Sequence, residues 1–337
     1  MPSRSLVRFS PRVSSWRAAH CALIVMCHAA CGLAGAQEWA PQRPLRLIVP
    51  FPPGGTADLL GRLLASPMAT ALGQQIVVDN RGGAGGVIAM DALAHSPPDG
   101  YTFGIPSMSA HASNATLSAK LPYDSIKDFL PLTFVAQVPV VLVVHPSNPA
   151  TSIQDLIARA RAAKRQLTFG SSGTGVSNHI AGELLRLESK GDMVHVPYKG
   201  GGPAMVDLMG GQIDMMFNPV SSVLPFVTGG KLRGIALSDR KRSPLLPGVA
   251  TMAEAGFPDF DITEAWGLVA PAGTPADAAR RLRAEAVKVL QHPDIVERYT
   301  AQGLTLIPTT PERLREMMVA EIKKYRDIIQ RAGIKAN

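Results

Sequence analysis

Three short stretches combine glycine with hydroxyl or amide side chains just before a segment of helical period. They are Pro50-Phe51-Pro52-Pro53-Gly54-Gly55-Thr56, Asn80-Arg81-Gly82-Gly83-Ala84-Gly85-Gly86 and Ser171-Ser172-Gly173-Thr174-Gly175-Val176-Ser177. A strand that ends in such a loop and restarts as a helix leaves unpaired backbone N–H groups at the positive end of a helix dipole. Main chain and hydroxyls can then hold a carboxylate or phosphate with no lysine or arginine. In any one loop the glycines are equally explained by tight turns; three loops of one design point to a binding cleft. Nucleotide motifs fail on spacing: no G-x-x-x-x-G-K-[ST] occurs, and neither Gly83-x-Gly85 nor Gly173-x-Gly175 has a glycine three residues later.

Nucleophilic chemistry is the competing reading. Ser171, Ser172, His179 and His195, with several aspartates, could supply a serine triad. The strained elbow that exposes such a serine is missing, because Gly170-Ser171-Ser172-Gly173-Thr174 lacks the glycine that G-x-S-x-G needs at position 174. A secreted serine hydrolase using Ser171 or Ser172 stays open as the alternative function. His179 and Glu183 stand four apart on an expected helix, a zinc-ligand spacing, but no HExxH accompanies them and a surface or core-edge pair is the simpler account. Asp239-Arg240-Lys241-Arg242 reads as a solvated loop. No metal or cofactor is implied.

The elements that must position these loops follow from periodicity. With 337 residues, 46% apolar and 18% charged, the chain can bury a sizeable core in one or two domains. Short β-branched or leucine-rich runs alternate with segments of helical period, the pattern of an α/β protein with mostly parallel strands. Strands are expected at 45–49, 76–78, 101–105, 138–144, 167–169, 193–196, 213–217, 233–237 and from Trp266. Helices are expected through Leu59 to Leu64, up to His95, from Ser152, through Leu184 to Leu187 and over 203–209. Pro67 should kink or split the first helix, since it removes a donor and crowds the preceding turn. Ser152 with Asp155, and Thr251 with Glu254, mark capped helix starts. Thr274-Pro275 and Thr310-Pro311 enter two final helices, with proline at the first helical position.

Charge and cysteine are dominated by the N-terminus. Arg4, Arg8, Arg12 and Arg17 precede an apolar stretch over 18–30, and Ala34-Gly35-Ala36 supplies an A-x-A cleavage site. This reads as a signal peptide over residues 1–36 and places the mature protein in the periplasm. About 13 apolar residues are too few to span a bilayer. The net charge of +8 falls to +4 in the mature chain, with 30 basic against 26 acidic residues, so nucleic acid is not favoured as a partner. Cys21, Cys27 and Cys31 all lie in the leader, which excludes disulfides and cysteine-bound metal from the mature chain. Ala29-Ala30-Cys31-Gly32 resembles a lipobox only faintly, with His28 where leucine belongs.

The loops, taken with their surroundings, resemble the Bug family, the extracytoplasmic solute receptors of tripartite tricarboxylate transporters. The similarity runs through Val49-Pro50-Phe51-Pro52-Pro53-Gly54-Gly55 to Asp58, the Asp79 to Gly86 loop, Pro98-Asp99-Gly100-Tyr101-Thr102 and the Ser171 to Gly175 loop with His179 to Leu184. It continues through His195-Val196-Pro197-Tyr198-Lys199-Gly200, Gly210-Gly211-Gln212-Ile213-Asp214 and Ala270-Pro271-Ala272-Gly273-Thr274-Pro275. The resemblance implies a type II periplasmic binding protein, two α/β lobes closing on a hinge over one small ligand. With crossings near 138–144 and 262–266, lobe 1 is expected to combine 37–140 with 263–337, and lobe 2 to be 141–262. The implied function is that of a receptor without catalytic activity for a small carboxylate: a di- or tricarboxylate, an acidic amino acid or an aromatic acid. Its implied partners are the membrane components of a tripartite transporter, or a sensor kinase if the role is signalling; a monomer is expected. By family position, Gly54, Gly55 and Thr56 face Ser171, Ser172, Thr174 and Ser177 across the ligand, and Phe51 packs on its carbon skeleton. Ser107, Ser109 and Asn218, at strand ends, border the same crevice. Tyr198 and Lys199 have two readings, at the rim of the second lobe or as fold and hinge residues. Asp58 reads as a first-turn acid on the helix dipole, since a bare carboxylate would repel an anionic solute. The chain departs from the family pattern at Ala57, Pro67 and Gly82.

Overall fold

The computed structural model of the protein describes residues 39–118 and 120–335; the leader expected over 1–36, with its three cysteines, lies outside them. The strands are β1 (Leu45–Val49), β2 (Ile76–Asn80), β3 (Thr102–Gly104), β4 (Phe129–Val144), β5 (Leu167–Ser171) and β6 (Met193–Pro197). They continue as β7 (Met215–Pro219), β8 (Arg233–Leu237), β9 (Ala250–Thr251), β10 (Thr263–Pro271) and β11 (Thr305–Leu306). All join one continuous sheet, with the main order β2-β1-β3-β10-β4-β7-β5-β6. β1 pairs in parallel with β2 and β3, and β5 in parallel with β6 and β7. In each trio the central strand is flanked by the two that follow it in the chain, so the crossover direction reverses there. Loops leaving the C-terminal ends of β1 and β5 therefore open into crevices, and these are the first and third glycine loops.

β4 ties the halves together. Its residues 129–139 pair antiparallel with β10, and residues 140–144 with β7 and β8. The run expected at 138–144 is thus the second half of a 16-residue strand. In sequence Pro139 breaks the apolar run, since it cannot donate to a ladder, yet it sits where β4 changes partners, and Pro131 lies beside a register irregularity in β10.

The helices are α1 (Thr56–Leu72), α2 (Val87–Ala94), α3 (Met108–Leu117), α4 (Ile153–Ala162), α5 (Ser177–Ser189), α6 (Gly201–Met209), α7 (Val220–Thr228), α8 (Ala276–Gln291), α9 (Pro293–Thr300) and α10 (Pro311–Ala332). Pro67 does not split α1, which runs on to Gly73 in the left-handed conformation. Leu63, Leu64, Met68 and Leu72, buried on both sides of the proline, hold the helix while one backbone bond is lost. Ser152 caps α4 as expected, its hydroxyl accepting from the Asp155 N–H. Thr251 and Glu254 also form their reciprocal capping bonds, but only a turn follows, ended by Gly256 at φ +84° and Pro258. Pro275 is the N-cap of α8 rather than its first helical residue, and the Thr274 hydroxyl donates to the Pro271 carbonyl instead of capping. Three helices, not two, follow β10, because Pro293 starts α9 directly after α8.

One apolar core joins β1, β4 and β10 to α2 and α3, through Ile48, Met90, Leu93, Phe129 and Phe134. A second joins β4, β5 and β7 to α4 and α5, through Phe169, Phe217, Leu184 and Leu185. α10 serves both, placing Leu314 and Met318 in the first and Tyr325, Ile328 and Ile329 in the second.

Candidate functional site

Four helices begin at one cleft, and none of the four has a side chain capping its first N–H groups. α1 starts after Gly55, α5 after Val176, α6 after Gly200 and α7 after Pro219. Residues at all four starts line a cavity of about 360 Å3. Away from the cleft, a serine or threonine hydroxyl caps α4 and α10, whereas α2, α8 and α9 also start without a side-chain cap, so it is the convergence of four such starts that marks the cleft. At the cleft those donors and the positive dipole ends remain for a ligand.

Glycine makes the approach possible. Gly54 and Gly200 have φ of +90° and +117°, a region costly for other residues. A Cβ on Gly200 would lie 3.3 Å from the Pro52 ring, and one on Gly201 would lie 3.2 Å from Ser172 Oγ. The α6 start thus packs backbone against the β1 loop and the β5 loop together. The middle glycine loop closes from the side: the Asn114 amide donates to the Gly85 carbonyl at 3.0 Å, and a Cβ at Gly85 would strike the Thr174 carbonyl.

Of the residues expected at the site, Phe51, Gly54, Gly55, Thr56, Ser172 and Asn218 line this cavity. The Thr56 hydroxyl lies 2.9 and 3.0 Å from those of Ser221 and Ser222, joining the starts of α1 and α7. Ser172 is held by a reciprocal pair, its N–H donating to Asn178 Oδ1 and its Oγ accepting from Asn178 Nδ2. Thr174 lines a neighbouring chamber of about 300 Å3, with Tyr198 and Lys199. The Tyr198 hydroxyl donates to Asp207 on α6 at 2.7 Å, a bond that anchors the helix. Asp58 accepts from the Gly54 N–H and from Arg62, both at 3.1 Å. Burial alone would raise its carboxyl, but the bonds from Arg62, Gly54 and Asn80 outweigh burial and hold it below the usual carboxylate range.

Four expected residues are turned inward. Ser171 is fully buried; its Oγ lies 2.6 Å from His195 Nε2 and also donates to the Gly173 carbonyl. This Ser–His contact lacks the rest of a triad, since among the described residues no carboxylate bonds His195, whose ring stacks on His179 at 3.8 Å. Burial lowers His195 to about 4; burial and then the neighbouring His195 lower His179 to about 3. Both rings are neutral packing groups, and the Ser171 hydroxyl has no opening to the cleft. Glu183, the other half of the zinc spacing, is engaged by Arg186 at 2.7 Å. Among the described residues no group of three or more acidic, histidine or cysteine side chains could hold a metal.

Ser107, Ser109 and Ser177 converge instead on Glu264, which the sequence reading passed over. Ser107 donates to Glu264 Oε1 at 2.8 Å and pairs with Ser109 at 3.0 Å, while Ser177 donates to Glu264 Oε2. Glu264 lines the cleft floor beside Trp266 although only 6% of it is exposed. Burial, with a smaller push from Glu321 and against the bond from Ser107, raises its carboxyl to about 7. A signal existed: Ile262, Glu264 and Trp266 alternate along an expected strand, so the acid shares a face with two large apolar residues. Met205, Val206, Met209, Ser222 and Phe226 were also missed. Met205, Val206 and Met209 read as ordinary positions on a short helix, and the α7 segment carrying Ser222 and Phe226 was not expected to be a helix at all.

The chain is 38% identical over 296 residues to Protein BugT of Bordetella pertussis (strain Tohama I), covering 88% of this chain and 91% of that one. Its fold matches a structure of R. palustris Rpa4515 with adipate at a TM-score of 0.84 and 34% identity, covering 88% of this chain and 99% of that one. MatC (Rpa3494) from Rhodopseudomonas palustris with bound malate matches at 0.81 and 31% identity, over 86% of this chain and 99% of that one. With the fold of these proteins and a match over residues 60–334 to the tripartite tricarboxylate transporter family receptor, the chain belongs to that family.

Proposed function

We propose that the protein is a periplasmic receptor that closes over a small carboxylate and presents it to the membrane components of a tripartite transporter. The observation that carries this reading is the convergence of four side-chain-free helix starts on one cleft. Structures of two relatives with adipate and with malate support the same ligand class. Lobe 1 comprises 37–140 with 263–337 and lobe 2 comprises 141–262; the change of β4 partners at Pro139 supports a hinge there, and α10 bridges both cores. Gly54, Gly55 and Thr56 hold the carboxylate from one side and Ser172 from the other. Among the described residues no helix is long and apolar enough to cross a membrane, which fits a receptor freed by leader cleavage.

The test is a thermal-shift screen of the mature protein, refolded to strip carried-over solute, against carboxylic acids, sugars and amines. An acid at a hundred times its dissociation constant adds about 2.7 kcal/mol, or roughly 5 °C for a chain of this size. Ser172→Ala should reduce that shift. A shift with sugars or amines and none with acids would sink the reading. Labelling of Ser171 or Ser172 by a fluorophosphonate would instead revive the hydrolase; no labelling is expected.

A further inference from the structure

The cleft has two unlike ends. Its donors belong to helix starts, whereas Met205 and Met209 of α6 and Phe226 of α7 lie one to two turns farther along the same helices. With Val206 they make a wall that offers neither a donor nor a cation, while Trp266 at the floor keeps a buried indole N–H without a partner among the described residues. Among the described residues no lysine, arginine or histidine lines the cavity. Val206 is 63% exposed, more than any other large apolar side chain among the described residues, so the wall still lacks a covering. At the floor, Glu264 presents an acid rather than a base.

We propose that the ligand is a monocarboxylate with an apolar, ring-sized body, its carboxylate at the helix starts and its body against Met205, Val206, Met209 and Phe226. This rests on the receptor reading above and narrows it. A second carboxylate on the far end of the ligand would lose its water and meet methionine sulfur, aromatic carbon and an acid, with no countercharge. An aromatic ring loses nothing comparable, and thioether sulfur packs favourably against it. The cavity, about 360 Å3, holds one ring with a short chain and lies in the small part of the usual range for such sites.

Isothermal titration of the refolded mature protein with phenylacetate, 3-phenylpropionate, adipate, malate and citrate tests this. The expected result is at least tenfold tighter binding of one of the two ring acids than of any di- or tricarboxylate. Val206→Lys, at an exposed helical position that accepts lysine without loss of fold, places a cation on the wall. It should weaken the ring acid and strengthen adipate, narrowing the ratio at least tenfold. Tighter binding of adipate, malate or citrate, or equal binding of all five, would overturn the inference and leave the receptor reading standing. A preference for the ring acid that Val206→Lys leaves untouched would overturn the assignment of the wall. Binding of none of the five, alongside a sugar or amine that does bind, would overturn both.

Discussion

Glu264 joins the chemistry of the cleft to the stability of the fold. Its carboxyl is raised from 4.5 to about 7, chiefly by burial. Between those values the folded protein binds more protons than the unfolded chain, so stability falls as pH rises. The contribution is fully present below pH 4.5 and lost as pH passes 7, about 3 kcal/mol in all. Glu264→Gln should therefore gain on the parent protein as pH rises from 5 to 8, by up to about 3 kcal/mol in urea titrations at the two pH values. His179 and His195 act in the opposite direction, because their lowered values make protonation costly as pH falls through the unfolded range; they cancel in the comparison of parent and variant. An unchanged difference between pH 5 and 8 would show that Glu264 is not charged by this rise in pH. Thr56 offers a second test, since Thr56→Val keeps the shape and removes the hydroxyl that meets Ser221 and Ser222. Losing a polar contact of this kind costs about 1 kcal/mol, so the free protein, which makes both contacts without ligand, should lose about that much in chemical denaturation, and the bound acid should weaken several-fold in titration.

The helices and strands that carry the site depend on a few close approaches. Gly182 lies on α5 against the Phe169 ring of β5, where an added Cβ would sit 2.2 Å from a ring carbon. Neither a buried ring nor a helix can yield by that much, so Gly182→Ala should destabilise by about 2–3 kcal/mol in chemical denaturation. Asp214, just before β7, is bound bidentately by Arg165 at 2.6 and 2.8 Å and accepts from the Thr168 N–H and hydroxyl. Asp214→Ala leaves that backbone donor without its acceptor, and a loss of about 2 kcal/mol is expected from the same measurement. Both positions were visible in the sequence, as a glycine in a helical run and an acid after Gly210-Gly211-Gln212-Ile213. Their partners were not. Periodicity located β1, β8 and most helices because one face of each is continuously apolar. It misread β4 because prolines that end most strands here occupy a partner change and a register irregularity. It misread Thr251 to Gly256 because a capping box satisfies a turn as well as a helix.

Across the protein, the reversal of strand order at β1 and at β5 sets two glycine loops facing each other, and one long strand and one long helix connect the halves. If closure about β4 and β10 traps the ligand, small-angle scattering should show a smaller radius of gyration with saturating acid than without. A bulky side chain at Gly200, such as Gly200→Val, should abolish that decrease, because the position combines φ of +117° with a Pro52 ring 3.3 Å from the added Cβ. An unchanged radius with bound acid would rule out hinge closure of the scale proposed.

What could be read along the chain was the class of fold and the glycine loops that border the cavity, because strand alternation and glycine before a helix are local patterns with local causes. Of the residues expected at the site from those loops, from the family resemblance and from strand ends, Phe51, Gly54, Gly55, Thr56, Ser172 and Asn218 line the cavity. Which hydroxyls face the cleft and which face the core could not be read so. Ser107, Ser109, Ser171 and Ser177 differ from Ser172 only in what lies opposite: Glu264, 157 residues from Ser107, or His195, 24 residues from Ser171. Such pairings are made by strands and helices meeting from distant parts of the chain, and burial then sets the protonation of Glu264 and the neutrality of His195. Packing across the sheet thus turned a set of polar residues alike in sequence into one acid floor, one histidine stack and one open row of donors.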